Sequence, residues 1–450
     1  MKYIFVFLSV IFVLTVGSAR VCASGEERST NADLPDWYEL PETTTPAPKS
    51  ALYDYVDVAV LAAAMALAAY LALKRRSRRG LFVLMLFSLL YFGFWRGGCV
   101  CPIGAIQNVT LGLFDGAYVV PAAIVAFFAL PLVFTLFFGR VFCAAVCPLG
   151  AIQDVVLVKP LKVPSWLEHT LGLFPYVYLG MAVLMAATGS AFIICRLDPF
   201  VSFFRIFPLG KWGQSLIHGG PWRWADLGGR FNLLALGACV LIISVFVGRV
   251  YCRFVCPYGA LLRILSRFSR WRVTITPDEC IQCRLCEDAC PFGAITEPTH
   301  RKNVSRSEGK RLLAILILLL PVVVAAAGWL GGRISPVLSR RNATISLAER
   351  IRDEQAGRVK GTTDASDAFR SSRRPPAELY AEASLIRRKF HFGGVLLGGF
   401  VGIVVMLKLI RLSVRRNRTD YEADRARCLA CGRCFSYCPR EKARLKRIRD

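Results

Sequence analysis

Eight cysteines in two matched runs carry the strongest chemistry in this 450-residue sequence. Cys280-x2-Cys283-x2-Cys286-x3-Cys290-Pro291 is repeated as Cys428-x2-Cys431-x2-Cys434-x3-Cys438-Pro439. Three closely spaced thiolates can grip one [4Fe–4S] cube, and a fourth set before a proline reaches the partner cube. Such a cube needs four soft sulfur donors converging on a small volume. Zinc is the competing ligand, but its sites usually pair C-x2-C knuckles across a long spacer. The crossed pattern assigns Cys280, Cys283, Cys286 and Cys438 to one cluster, and Cys428, Cys431, Cys434 and Cys290 to the other. Passing single electrons is the chemistry such a pair would do.

A second set of thiols is set by an internal repeat. Gly139-Arg140-Val141-Phe142-Cys143-x3-Cys147-Pro148-Leu149-Gly150-Ala151 recurs as Gly248-Arg249-Val250-Tyr251-Cys252-x3-Cys256-Pro257-Tyr258-Gly259-Ala260. The shared register marks a parallel repeat of two-span units about an axis along the membrane normal. Brought together by that axis, Cys143, Cys147, Cys252 and Cys256 supply four thiolates, enough for a third cluster. On a helix, their three-residue gap would set both sulfurs of a pair on one face. Packing as small apolar residues is the plainer alternative.

An echo lies elsewhere in the chain. Cys99-Val100-Cys101-Pro102-Ile103-Gly104-Ala105-Ile106-Gln107 copies the tail from Cys147 to Gln153, and Cys195 is followed closely by Asp198. Cys99, Cys101 and Cys195, with Asp198 as an unusual fourth ligand, form a candidate site for a fourth cluster. A disulfide is the alternative on an oxidising face. Cys239 stands alone in an apolar run and reads as packing. Four histidines, none in a facing mid-span pair, and the lack of C-x-x-C-H give poor support for haem. Trp212, Trp222 and Trp224 suit an interfacial aromatic belt, with a quinone pocket as the rival reading. No catalytic acid, base or nucleophile constellation is evident, so the chain reads as a carrier rather than an enzyme.

The elements that must position these residues are membrane spans. The chain is 55% apolar, with a mean hydropathy of +0.46 and a formal charge of +26. That charge gathers beside apolar runs: Lys74, Arg75, Arg76, Arg78 and Arg79; Arg263, Arg267, Arg270 and Arg272; Lys408, Arg411, Arg415, Arg416 and Arg418. Basic clusters mark cytoplasmic span ends, so they indicate topology and not a nucleic-acid partner. Residues 1–23 read as a signal peptide and 24–50 as an exported linker. Apolar runs at 52–73, 81–95, 118–138, 170–194, 231–248, 312–331 and 393–410 give about seven spans. The expected fold is an α-helical multi-span protein of a bacterial cytoplasmic (inner) membrane, with an internal two-span repeat and a small cytoplasmic α+β module assembled from two half-motifs. Its expected parts are a membrane domain at 51–272 and a first half-motif at 273–300. A span at 311–331, an outer loop at 332–392, a span at 393–412 and a second half-motif at 420–450 follow. Both half-motifs and the four repeat cysteines then face the cytoplasm, and Cys99, Cys101 and Cys195 the opposite side.

The repeated Gly-Arg-Val-aromatic-Cys-x3-Cys-Pro-x-Gly-Ala elements, followed by ferredoxin-spaced motifs, resemble the membrane polyferredoxins of the NosR/NapH type. The likeness covers roughly residues 80–440 and is most specific at 139–151, 248–260, 280–291 and 428–439. The resemblance implies electron flow across the cytoplasmic membrane in support of respiratory reductases in the periplasm. Electrons would pass between a cytoplasmic donor or quinol and a periplasmic redox partner. The other class of function is a membrane redox or metal sensor controlling expression or maturation of a reductase. NosR-type proteins carry an exported flavin-binding domain, whereas only residues 24–50 are available here. Flavin is therefore not supported by this chain, and a separate flavoprotein partner would supply it. Thr344, Thr362 and Thr363 lie in no attachment motif strong enough to change that.

Overall fold

The computed structural model describes residues 51–97, 102–116, 118–190, 203–204, 231–275, 280–299, 306–372, 374–414 and 418–449. Cys99, Cys101, Cys195, Asp198 and the three tryptophans at 212–224 lie outside the described residues, as does the expected signal segment. The described chain is mostly helical. Five stretches are long and apolar enough to cross a membrane: Leu52–Lys74, Arg78–Trp95, Ser165–Ala187, Gly309–Ser339 and Pro376–Ser413. Two further apolar helices, Ala122–Phe138 and Ala235–Phe246, fall short of that length.

Helix α1 (Ala51–Ala69) runs into a wide π-helical turn at Tyr70–Lys74. Ser77 accepts the Gly80 N–H at 3.2 Å and so caps α2 (Arg78–Ser88), which passes into a second π-helical stretch at Leu89–Trp95. Buried Asp57 of α1 pairs with Arg96 and accepts a hydrogen bond from Tyr91 at 2.9 Å. An intramembrane carboxylate is costly without such partners. After α3 (Pro102–Phe114), the repeat begins.

The two repeat units have the same local plan. Apolar α4 (Ala122–Phe138) stops at Gly139, whose φ is +71°, and is followed by α5 (Val141–Ala145) and α6 (Pro148–Val155). Then α7 (Ser165–Leu171) and α8 (Phe174–Ala187) form one apolar stretch. In the second unit, α9 (Phe231–Phe246) leads into α10 (Val250–Phe254) and α11 (Pro257–Ser266). The expectation that each C-x3-C pair lies on one helical face is therefore corrected. Cys143 and Cys252 lie at the middle of short helices, whereas Cys147 and Cys256 cap the next ones. The cause is proline: Pro148 and Pro257 cannot continue a helix but suit its first turn.

The first half-motif contains α12 (Leu285–Asp288) and β1 (Ile295–Thr296). A long apolar hairpin then separates it from the second half. Its arms are α13 (Arg306–Ser339) and α16 (Pro376–Ser413), with α14 (Ala343–Gln355) and α15 (Asp364–Ser371) between them. Segment 332–392, read as a loop, is thus largely helical. Asn342 and Thr363 supply N-caps for the two short helices, Thr363 within a capping box. Along the hairpin, Gly394, Gly398 and Gly402 face Ala327, Gly328 and Gly331, and the backbones meet with no room for side chains. Small residues every fourth position permit such contact between apolar helices.

The chain ends in β2 (Glu422–Ala423), α17 (Arg433–Tyr437) and α18 (Pro439–Arg449). β2 pairs antiparallel with β1, Ile295 opposite Ala423 and Thr296 opposite Glu422, so the two half-motifs join across the hairpin. One continuous apolar core runs from Leu61, Met65 and Met85 of the first two helices through Phe142 and Tyr258 to Phe292 and Phe435 beside the paired motifs. The cysteines are thereby fixed to the same packed body as the spans.

Candidate iron–sulfur centres

Each half-motif winds its cysteines in the same way. Gln282 and Arg284 of the first, and Ala430 and Gly432 of the second, all have positive φ. These are equivalent positions, two and four residues beyond Cys280 and Cys428. Left-handed residues turn successive thiols inward around one point. At Gly432 a side chain would be strained by the φ of +76° and would also meet the Phe435 ring, which an added Cβ would approach to 2.6 Å.

The winding brings the motifs together crosswise. Cys280, Cys283, Cys286 and Cys438 line one cavity, with Ile275, Tyr421 and Arg440. Cys290, Cys428, Cys431 and Cys434 line a second, with Val273, Phe292 and Gly432. In each, three cysteines come from one motif and the fourth from the other. Among the described residues, no three His, Cys, Asp or Glu side chains converge tightly enough to hold a single metal ion. Four cysteines line each cavity, and four thiolates are the donor set that a [4Fe–4S] cube takes. No described cysteine forms a disulfide.

Hydrogen bonds hold the two halves in register. Arg284 donates to Tyr421 Oη at 3.1 Å, Gln282 to the Thr419 carbonyl at 3.2 Å, and the Asp424 N–H to the Ala294 carbonyl at 2.7 Å. Burial pushes the Cys286 thiol up to about 11 and the Cys428 thiol up to about 12. Metal ligation requires the thiolate, so filling these cavities would release protons.

Three of the repeat cysteines, Cys143, Cys147 and Cys252, neighbour one another, while Cys256 caps α11 with its sulfur accepting the Gly259 N–H at 3.3 Å. Cys143 and Cys252 are buried, and Cys147 hydrogen-bonds with Cys252 across the two units. The arginine of each Gly-Arg step turns into this grouping. Arg140 Nη2 approaches Cys143 Sγ at 3.7 Å, while Gln153 Nε2 approaches Cys252 Sγ at 3.6 Å. Fully buried Arg249, itself at φ +51°, donates to the Cys143 carbonyl and to that of Ala144 at 3.0 Å. The Cys147 hydrogen bond lowers the Cys252 thiol, and Arg249 and Arg140 oppose the effect of burial in the same direction. Cys147 is correspondingly raised, first by that hydrogen bond and then by burial. Buried guanidinium groups beside thiols suit a negatively charged, thiolate-bound group.

Asp154 ties this grouping to the half-motifs. It lies 3.4 Å from Arg249, 3.2 Å from Arg433 and 3.4 Å from Arg78. Burial pushes its carboxyl up, yet the three arginines outweigh that and hold it below the ordinary value. Arg78 also donates to the Cys431 carbonyl at 2.9 Å, and Phe292 stacks beneath Arg249 with its centroid 5.7 Å from Cζ. Sequence reasoning missed Asp154, Gln153 and these arginine contacts. The available signal was an Asp following the apolar Cys-Pro-x-Gly-Ala run. The reading of Arg76 and Arg78 as topology markers alone is also corrected. Arg76 pairs with buried Glu441 at 2.8 Å and lies over the Phe435 ring at 5.0 Å.

Two family profiles, each described as a 4Fe-4S binding domain, match the chain. One covers 119–164, 230–276 and 286–307, so it falls on both repeat units, and the other covers 273–296. Protein NirI of Paracoccus denitrificans is 28% identical over 187 residues, 41% of this chain and 23% of that protein. Regulatory protein NosR of Stutzerimonas stutzeri is 37% identical over 68 residues, 15% of this chain and 9% of NosR. Over these stretches the chain is similar to ferredoxin-type membrane proteins of the NosR kind. Another relative, the putative electron transport protein YccM of Escherichia coli, is 38% identical over 52 residues, 12% of this chain and 15% of YccM. The matched stretches thus span less than a quarter of these relatives' own lengths. No solved structure matches the chain.

Proposed function

We propose that this chain is a membrane electron carrier, moving electrons between a cytoplasmic donor or quinol and a periplasmic redox partner. The observation that carries the reading is the crossed lining of the two cavities, each with four cysteines drawn three-and-one from the two motifs. When bound, a [4Fe–4S] cluster supplies one-electron storage at a potential set by its surroundings. Cys280, Cys283, Cys286 and Cys438 would hold one such cluster, and Cys290, Cys428, Cys431 and Cys434 another. Cys143, Cys147, Cys252 and Cys256 would hold a third, with Arg140 and Arg249 offsetting its charge and the surrounding apolar core excluding water. Cys99, Cys101 and Cys195, with Asp198, are proposed as the relay on the far side. The half-motifs face the cytoplasm of a bacterial inner membrane in this scheme.

Five helices of spanning length and the 4Fe-4S profile matches on both repeat units support this scheme. One observation favours the sensor reading: Cys283 is exposed, and a sensor needs an accessible, labile thiol. Iron and sulfide analysis with EPR on anaerobically purified protein tests the proposal. The carrier reading expects about 12 irons per chain, or about 16 with the far-side relay. Cys143→Ser and Cys252→Ser should remove about four of them. A count near 8, with spectra unchanged in those variants, would remove the third cluster from the scheme.

A further inference from the structure

A cavity of about 570 Å³ opens beside the first span, apart from the cysteine sites. Lys74, Arg76, Arg270, Arg272 and Arg425 line it together with Trp271, and no carboxylate is among its lining residues. Arg76 is already paired with Glu441. The other cations gather around open space, an arrangement that repels itself unless an anion enters.

The height of the cavity indicates which anion. Lys74 is the last residue of the spanning stretch Leu52–Lys74, and Ala72 and Leu73 beneath it form an apolar floor. These three residues belong to the π-helical turn at Tyr70–Lys74, a distortion found often at functional sites. Opposite, the Trp271 ring stacks on Phe138 at 5.4 Å and 23°, and the Trp271 backbone N–H donates to the Phe137 carbonyl at 2.8 Å. Phe138 ends the apolar helix α4. The cavity therefore sits where apolar helices give way to basic side chains, with a half-exposed tryptophan at the boundary. Basic pockets at this level between helices are suited to anionic lipid head groups, and tryptophan to the interface.

We propose that this cavity binds the phosphate head group of an anionic phospholipid, with the acyl chains lying along the first span. The chemistry recognised is a phosphate ester carrying net negative charge. Val273 lines both this cavity and the one holding Cys290, Cys428, Cys431 and Cys434, so the bound head group would neighbour a redox site. The proposal rests on the membrane placement of α1 and not on the cluster assignment, and iron content reports on the latter separately.

Native mass spectrometry of the delipidated full chain, purified anaerobically in neutral detergent, tests it with phosphatidylglycerol, phosphatidylcholine and inorganic phosphate as probes. Phosphatidylglycerol should bind at least about tenfold more tightly than phosphatidylcholine, and Lys74→Gln/Arg272→Gln/Arg425→Gln should erase that preference with iron content unchanged. Should the triple variant fail to fold, Lys74→Gln alone, at an exposed position, should weaken phosphatidylglycerol binding about threefold to fivefold. Equal binding of the two lipids would overturn the proposal, as would retention of the preference in the variants. Displacement of the lipid by an equal concentration of inorganic phosphate would reassign the site to the free ion. If an acidic redox protein bound with the same residue dependence and phosphatidylglycerol did not, the face would belong to a protein partner.

Discussion

Buried charge does much of the organising around the thiols. Arg249 and Asp154 both have fully buried side chains, and a carboxylate shared by Arg249, Arg433 and Arg78 links the repeat cysteines to the second half-motif. Asp154→Asn should destabilise the protein by about 3–5 kcal/mol, because Arg249 would keep its charge without a carboxylate to face. Thermal unfolding in detergent measures this. The carboxyl of Asp154 is held below its unfolded value of about 3.9, so its contribution is complete above that pH and is lost as acid carries pH through the folded value. The gap between wild type and Asp154→Asn should therefore be constant near neutrality and narrow below about pH 4. Cys438→Ser should disturb the EPR signal of the cluster assigned to Cys280, Cys283 and Cys286. A change confined to the 428–434 signal would refute the crossed arrangement. The crossing was legible from spacing because each fourth cysteine precedes a proline. Asp154 was not, because a single carboxylate acquires meaning only when three distant arginines fold onto it.

At the scale of elements, the repeat and the hairpin do different work. The repeat presents matched thiols from two Gly-Arg turns, and its register was plain in the sequence. Its geometry was less so, since a gap of three residues resembles one helical face until Pro148 and Pro257 are weighed as helix starts. The hairpin returns the chain so that β2 can pair with β1, which no local pattern announces. Glycines at 394, 398 and 402 allow that return, yet hydropathy treats them only as weak spots in a span. Gly398→Leu would drive a side chain into the Ala327 carbonyl and force α13 and α16 apart. The expected result is a lower unfolding temperature and partial loss of iron from the half-motif cavities. A variant with unchanged stability and iron content would mean that close packing of the hairpin does not hold the second half-motif in place.

At the scale of the whole molecule, one apolar core joins the first helices, the repeat and the half-motifs, and a second cluster packs α8 against α14, α15 and the hairpin arm α16. Length and composition indicated apolar helices: among the described residues, five of the seven apolar runs lie in helices of spanning length, and those at 118–138 and 231–248 lie in shorter ones. In each repeat unit the apolar helix stops at a Gly-Arg turn that redirects the chain toward the thiols. The basic clusters read as a topology signal in the sequence; in the fold, several of their members also hold the half-motifs or line the cavity beside the first span. Passage of electrons from one membrane face to the other can be followed in sealed vesicles. With the full chain in proteoliposomes, an impermeant reductant is added outside and an impermeant acceptor is trapped within. An electron-carrying chain should reduce the trapped acceptor well above protein-free vesicles, and Cys252→Ser should abolish this while the half-motif EPR signals persist. Reduced half-motif clusters beside an untouched acceptor in the wild-type vesicles would contradict such passage.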